Sequence, residues 1–416
     1  MVKRLLLVTH RSIDQDGGPA ARWRAFARYL PEHGWEVDVL SATARAGASE
    51  FDAAASRAVR TRAVAMAQVG RFSEPVFRCA GVRPDAMPLS MLWLAHGAFL
   101  VRVRIQQLRP DLVLATGPPL AGPLAARLAT KPAVPLIVEL RDLWAGSPAF
   151  DAGGRALSGV EDWLLRKARR VVACTPEAVS DLRLRHPNLS ERIVEISNGF
   201  DPEITSMAGA ATATPATATA TATATRPSRP LTLLHSGTLS AARPLTPLLR
   251  ALSDPRLLGS FRLVLHGYLS PATLAEVRQA DREGKVEIEV LAPSPWSDAV
   301  ARIARADACL ITQARAAGDE TAIASKVYEY LALGRPVLCM TDGGATEALL
   351  HRLGAGELCA RLDEPEAIAA ALLRLREDPP QPPSLPSLEQ YSRRALAGRM
   401  AALLDGVLRD GQPGGI

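Results

Sequence analysis

Leu5-Leu6-Leu7-Val8 is followed by a loop from Arg11 to Pro19 that holds Gly17-Gly18, and then by Trp23, Phe26, Ala27 and Leu30 at helical spacing. The apolar run shows no polar alternation, which is how a parallel strand buried on both faces reads. Pro19 suits the first helical position, where a missing N–H costs nothing. Gly34 supplies a residue that ends a helix, and Trp35, Val37 and Val39 then alternate as a second strand. Strand, glycine-bearing loop, helix and strand in this order predict a βαβ unit.

The pattern recurs outward from that unit. Strands are expected at Asp111 to Ala115, Pro135 to Leu140, Val171 to Cys174 and Ile193 to Ile196, the last ending in the Asn198-Gly199 turn. An Ala-Thr tract from about Ala208 to Thr225, broken by Pro215, has nothing that fills a core and reads as a flexible linker. Beyond it the alternation restarts, with strands at Leu231 to His235, Phe261 to Leu265, Val286 to Leu291, Ala308 to Thr312 and Val337 to Met340. Strands alternating with helices imply a doubly wound parallel sheet in each half. The expected division is a Rossmann-like domain over 1–205, a linker over 206–230, a second Rossmann-like domain over 231–384, and a terminal segment over 385–416. In that segment Tyr391 to Leu408 is read as an amphipathic helix packing back on the first domain, with Leu396, Met400, Leu403, Leu404 and Val407 on one side.

A chain of 416 residues is too long for a single core of the usual 100–200 or so residues. Its net charge of +6 fits an anionic ligand, an acidic membrane surface or nucleic acid without choosing among them. Cys79, Cys174, Cys309, Cys339 and Cys359 are scattered and never spaced as C-x-x-C, which argues against a disulfide framework or zinc site and for a reducing compartment. Met1-Val2-Lys3-Arg4 has the basic character of a signal start, yet Leu5 to Val8 is too short for its apolar region, so a cytoplasmic protein is expected. The most apolar stretch, Met91 to Val101, contains His96 and falls short of the roughly 20 residues a membrane span needs.

The segment richest in chemistry runs Ser325-Lys326-Val327-Tyr328-Glu329-Tyr330-Leu331-Ala332-Leu333-Gly334-Arg335-Pro336-Val337. Val327, Tyr330 and Leu331 form an apolar stripe, which sets Lys326 and Glu329 side by side at i, i+3 in the first turns of a helix. A lysine at a helix start favours a diphosphate, and a carboxylate there accepts hydrogen bonds from ribose hydroxyls. An ordinary exposed Lys-Glu pair would have the same spacing.

This stretch resembles the donor-site helix of retaining glycosyltransferases of the GT-B fold, a family 4-like group, especially the branch that makes bacterial surface polysaccharides. Glu139-Leu140-Arg141-Asp142-Leu143-Trp144, Ser197-Asn198-Gly199-Phe200-Asp201 and His235-Ser236-Gly237-Thr238 resemble further motifs of that group, in its order. The resemblance implies two Rossmann-like domains facing a central cleft, and transfer of a hexose from a UDP-sugar, or less readily a GDP-sugar, to a glycan or lipid-linked acceptor with retention. It implies donor binding by Glu329 at the ribose and by Lys326, with Ser325 beside it, near the diphosphate. Gly343, Gly344 and Glu347 would meet the donor, Gly237 would open the second domain with a glycine turn, and Arg243 is the candidate for a further phosphate contact. Gly17 and Gly18 resemble the glycine loop that faces phosphate and acceptor. Basic side chains and helix dipoles replace a metal in such enzymes, so no metal or other cofactor is expected. Where the group often carries a first glutamate, this chain has Thr321, with Glu320 one place away.

His10, Arg141 and Asp142 fall at strand ends, where α/β sheets place ligands, so they are candidates to orient an acceptor, with Asp142 or Glu139 taking its proton. A strand-end histidine or a local Arg-Asp ion pair is the plainer alternative. Asp14-Gln15-Asp16 has the D-x-D form of metal sites in a different transferase fold, and is read as loop chemistry. Arg57, Arg60, Arg62, Arg71, Arg78, Arg83, Arg102 and Arg104, interleaved with Phe72, Phe77, Trp93 and Phe99, suit peripheral contact with an anionic membrane face. Nucleic acid is not an expected partner. Two other readings share the fold: a sugar-nucleotide 2-epimerase, and a binding protein without catalysis, which Thr321 motivates.

Overall fold

A computed structural model describes residues 2–10, 18–41, 59–61, 87–143, 156–207, 229–313 and 319–410. The Ala-Thr tract, Gly17, Asp14-Gln15-Asp16, Trp144, Cys79 and most of the arginine-rich stretch lie outside them.

The chain divides into two compact units, one formed by residues 1–198 with 393–416 and the other by 199–392. Among the described residues the first unit carries a seven-stranded sheet in the order β3-β2-β1-β4-β5-β6-β7. Its strands are β1 (Lys3–Thr9), β2 (Trp35–Ser41), β3 (Val59–Thr61), β4 (Leu112–Gly117), β5 (Leu136–Leu140), β6 (Arg170–Ala173) and β7 (Ile193–Glu195). Every pairing is parallel. The continuous apolar run of β1 serves both faces. Leu6 and Val8 pack with the helices Ala121–Ala129 and Ala156–Lys167, while Leu5 and Leu7 join Trp23, Phe26, Met400 and Leu404 on the other side. Gly34 ends the first helical segment with φ 79°, as its position predicts.

The second unit has a six-stranded sheet among the described residues, in the order β10-β9-β8-β11-β12-β13, again parallel throughout. Its strands are β8 (Leu231–Leu239), β9 (Phe261–Leu269), β10 (Glu287–Leu291), β11 (Ala308–Thr312), β12 (Val337–Thr341) and β13 (Cys359–Arg361). In both sheets the strand order reverses beside the first strand of the unit, at β1/β4 and at β8/β11. Doubly wound sheets hold ligands outside the carboxyl ends at such a point.

Two expectations are corrected. The division at 205 and 385 moves to 198 and 393 because Phe200 pairs with Ser392, and Phe200 N–H donates to Tyr391 C=O at 3.2 Å. Leu388 is buried with Tyr328, and Tyr391 packs its ring against that tyrosine, so 385–392 stays with the second unit. The other correction concerns Gly237, expected in a glycine turn. It lies inside β8, which continues to Leu239 in register with β9. Gly237 pairs with Gly267, and a Cβ at Gly267 would stand 2.0 Å from the Gly237 carbonyl oxygen. Two glycines facing each other let two backbones approach where side chains forbid it.

Gly267→Ala is therefore expected to lower the melting temperature well beyond Gly259→Ala. Gly259 shares the positive φ but has open space around its Cβ position. The control pays only the conformational cost of roughly 1–2 kcal/mol. Equal melting temperatures would show that the strands relax freely.

Candidate functional site

In the second unit the residues singled out in the sequence gather at the carboxyl end of the sheet. The helix Lys326–Ala332 follows β11 and turns its apolar stripe inward, burying Val327, Tyr330 and Leu331. Glu329 is buried as well, and Lys326 Nζ donates to its Oε2 at 3.0 Å. The indole N–H of Trp296 reaches Oε1 at 3.5 Å. An exposed i, i+3 pair would leave the carboxylate in water, whereas here only the lysine keeps substantial solvent access. A buried carboxylate beside the Lys326 ammonium and the Trp296 indole is an acceptor group of the kind that hydroxyl donors meet.

Tyr330 ties this helix to the β8 end by accepting from Ser236 N–H at 3.0 Å. Ser236 Oγ lies 3.1 Å from His266 Nδ1, and His266 Nε2 lies 3.0 Å from Ser294 Oγ. Burial lowers the His266 pKa, with Arg302 and Lys326 adding to the effect. Arg243 sits in the turn after β8, where its Nη1 approaches Thr238 C=O at 3.5 Å. Its Nε is buried and has no protein acceptor.

Gly343 and Gly344 follow β12 with φ 107° and 98°, and a Cβ at Gly344 would come within 2.7 Å of the Glu320 carbonyl oxygen. The N–H of Gly343, expected to face a ligand, donates instead to Thr341 Oγ1 at 3.0 Å. This corrects that role: the glycine shapes the turn. Glu347, half-buried in the first turn of the helix Ala345–Arg352, lies 3.6 Å from His351 Nε2. Ser325 stands at the N-cap of the Lys326–Ala332 helix without a side-chain capping bond.

The first unit gives a different result. Glu139, at 0% exposure on β5, accepts from Arg22 Nε at 3.0 Å, Trp23 Nε1 at 2.6 Å and Thr116 Oγ1 at 2.6 Å. Arg22 also donates to Ile196 C=O at 2.8 Å, to Ser197 C=O, and to Asn198 Oδ1 at 3.4 Å. The Glu139 motif and the Ser197-Asn198 motif are thus two ends of one buried brace. Both oxygens of Glu139 meet donors of the fold, an arrangement that argues for a brace and against its expected role as proton acceptor.

Arg141 donates to Pro118 C=O, and burial lowers its pKa against the raising effect of Glu139 and Asp142. Asp142 is exposed at its own surface, yet the surrounding protein raises its carboxyl while Arg141 opposes the shift. It remains the proton-accepting candidate of this unit. His10 is half-buried just beyond β1, and Gly18 begins the helix Gly18–Tyr29. Arg104, counted among membrane-facing arginines, is corrected: it is buried, 3.8 Å from Asp38 and 3.1 Å from Gln107 Oε1. Phe99 on the same helix is 63% exposed. Burial pushes the Cys174 thiol up to about 12 and raises Cys309 too, so neither offers a thiolate.

Sequence reasoning missed Arg22, Trp296, His266 and Ser294. Each reaches its partner across a long stretch of chain, and only Trp296, opening an amphipathic helix after Pro295, left a local signal.

No helix among the described residues is long and apolar enough to cross a membrane. Residues 17–199 match the model of the glycosyl transferase 4-like domain, and residues 230–378 match that of the glycosyl transferases group 1. Curated protein sequences yield no match. Among solved structures, HepE from Anabaena in complex with UDP and glucose is similar at 16% identity and TM-score 0.62, over 97% of this chain and 100% of its own. WaaG, a glycosyltransferase involved in lipopolysaccharide biosynthesis, is similar at 13% identity and TM-score 0.59, over 97% and 100%. A UDP-N-acetylglucosamine 2-epimerase fold from Listeria monocytogenes is similar at 14% identity and TM-score 0.56, over 98% and 97%. Likeness at these identities establishes the fold alone, which transferases and epimerases share. The two family matches, which lie one on each sheet and together span most of the chain, decide between them: this chain belongs to the glycosyltransferases of the GT-B fold.

Proposed function

We propose that the protein transfers a hexose from a UDP-sugar to a glycan or lipid-linked acceptor with retention at the anomeric carbon. The observation that carries the donor half is the buried Glu329 carboxylate, held 3.0 Å from Lys326 at the carboxyl end of the second sheet. In this reading Glu329 accepts the ribose hydroxyls. Lys326 and Arg243 offset the charge that builds on the leaving diphosphate, which makes a metal unnecessary. HepE binds UDP on the same fold, which favours uridine as the base. Asp142, with Arg141 beside it, is the candidate to take the acceptor's proton, and His10 to orient that acceptor. The exposed Phe99 and the net charge of +6 fit peripheral contact with an anionic membrane face on the cytoplasmic side.

Thermal shift with UDP-, GDP-, dTDP- and CMP-sugars tests the donor site. A UDP-sugar at a hundred times its Kd is expected to add about 2.7 kcal/mol, a shift of several degrees. Glu329→Ala should abolish that shift while melting normally without ligand. A variant that responds as wild type does would place the donor elsewhere.

A further inference from the structure

His235 is buried at 7% exposure on β8, one of the two strands between which the sheet order reverses. The ladder between β8 and β11 ends at Cys309↔Leu234. The next carbonyl on β11, Leu310 C=O, lies 3.1 Å from His235 Nδ1. A carbonyl only accepts, so Nδ1 carries the ring proton. Burial, helped by the charges of Arg243, Lys326 and His266, pushes the pKa down to about 4 against the raising effect of the Leu310 hydrogen bond. The ring is therefore neutral, and Nε2 is a bare lone pair able only to accept.

That lone pair is buried, and among the described residues nothing donates to it. His266 is the contrast, because both of its nitrogens meet serine hydroxyls. Nε2 lies 3.6 Å from where a Cβ would stand at Gly237, so the glycine puts no side chain against the lone pair. The Thr312 hydroxyl, at the carboxyl end of the neighbouring β11, is a second buried polar atom without a partner. Buried acceptors left unpaired cost about 1–3 kcal/mol each, which a fold keeps only where something else supplies the donor.

We infer that His235 Nε2 accepts a hydrogen bond from a hydroxyl of the transferred sugar, beside the cations that hold the diphosphate. A phosphate oxygen does not fit this position, since it is itself an acceptor and would face a lone pair. A hydroxyl fits: it donates to Nε2 and can accept from Lys326 or Arg243. The ribose is the other hydroxyl source, and the proposed function assigns it to Glu329. His235 thus acts as a specificity-determining residue that reads the sugar and not the nucleotide. The inference rests on the donor-site reading above.

Calorimetric titration of wild type, His235→Leu and His235→Gln with UDP and with UDP-glucose separates the two. Losing the hydrogen bond is expected to weaken UDP-glucose binding about tenfold in His235→Leu, the equivalent of about 1.4 kcal/mol. UDP affinity should stay within about twofold, and His235→Gln, whose amide oxygen can accept from the same hydroxyl, should recover most of the loss. Equal losses for both ligands would place the acceptor at the nucleotide and overturn the assignment to the sugar. Unchanged affinities for both would make Nε2 a structural feature and overturn it altogether. A wild type that binds neither ligand, nor the GDP and dTDP pairs, overturns the donor-site reading and this inference with it. Normal wild-type binding with no selective loss in His235→Leu overturns only the inference.

Discussion

Arg22→Met is expected to cost about 3–5 kcal/mol of stability, the penalty for removing one partner of a buried ion pair. The size follows from what is left behind. Glu139 has no exposure, and Arg22 is the cation bonded to it, with Nε and Nη2 each 3.0 Å from Oε1. Without the guanidinium the carboxylate keeps Trp23 and Thr116 on Oε2, but a charge in that position lacks compensation. The Ile196 and Ser197 carbonyls lose their donor in the same step. Pairing the change with Glu139→Gln removes the stranded charge, so the double variant should be more stable than Arg22→Met alone. Urea unfolding followed by tryptophan emission reads this directly, because Trp23 is part of the brace. The experiment also separates two roles for Glu139. A structural brace predicts that Glu139→Gln keeps most of its turnover per folded molecule, whereas a general base predicts a loss of about 10²–10⁴-fold in kcat with little change in unfolding.

The brace shows where sequence reading stops. Glu139-Leu140-Arg141-Asp142 invites a catalytic interpretation because an acid at a strand end is the right residue in the right place. What decides its role is Arg22, 117 positions away, and nothing in the local spacing of Arg22 marks it as buried. His235 and Trp296 pose the same problem, with partners 75 and 33 residues distant. The alternation of strands and helices, by contrast, is a local signal. The apolar runs Leu5-Leu6-Leu7-Val8 and Ala308 to Thr312 needed no long-range information to be recognised as parallel strands. Lys326 and Glu329 were likewise legible as a pair, since a helix brings i and i+3 together whatever it packs against. Their burial was not, because it depends on Trp296 and the β8 end. The short strand β13 escaped because Cys359-Ala360-Arg361 carries no pattern of its own and is defined by pairing with β12.

Deleting residues 393–416 is expected to unfold the first unit outright, although every strand of that unit lies before residue 199. The helix Arg393–Asp410 inserts Leu396, Met400, Leu404 and Val407 among Trp23, Phe26, Trp35 and the inner residues of β1 and β2. Burying four such side chains contributes roughly 6–12 kcal/mol at about 1.5–3 each. That is comparable to the whole stability of a typical domain, about 5–15 kcal/mol. Polar contacts fix the helix in place. Asp405 accepts from Lys3 at 2.5 Å and from Trp35 Nε1 at 2.9 Å, and Arg394 pairs with Glu32 at 2.9 Å. Loss of the helix would open an apolar face over one side of the sheet, an area too large for a monomer to leave in water. The shortened chain should accumulate in the insoluble fraction, and any soluble portion should lose the near-ultraviolet dichroism of Trp23 and Trp35. Leu404→Asp, a single charge placed at the middle of that contact, should reproduce the defect in the full-length chain and so exclude an effect of length alone. A truncated protein that melts within about 2 °C of the full chain would mean that the first unit completes its core without the helix. The consequence for folding follows from connectivity: the first unit needs a segment made after the entire second unit, so its core closes only once the Arg393–Asp410 helix has been synthesised.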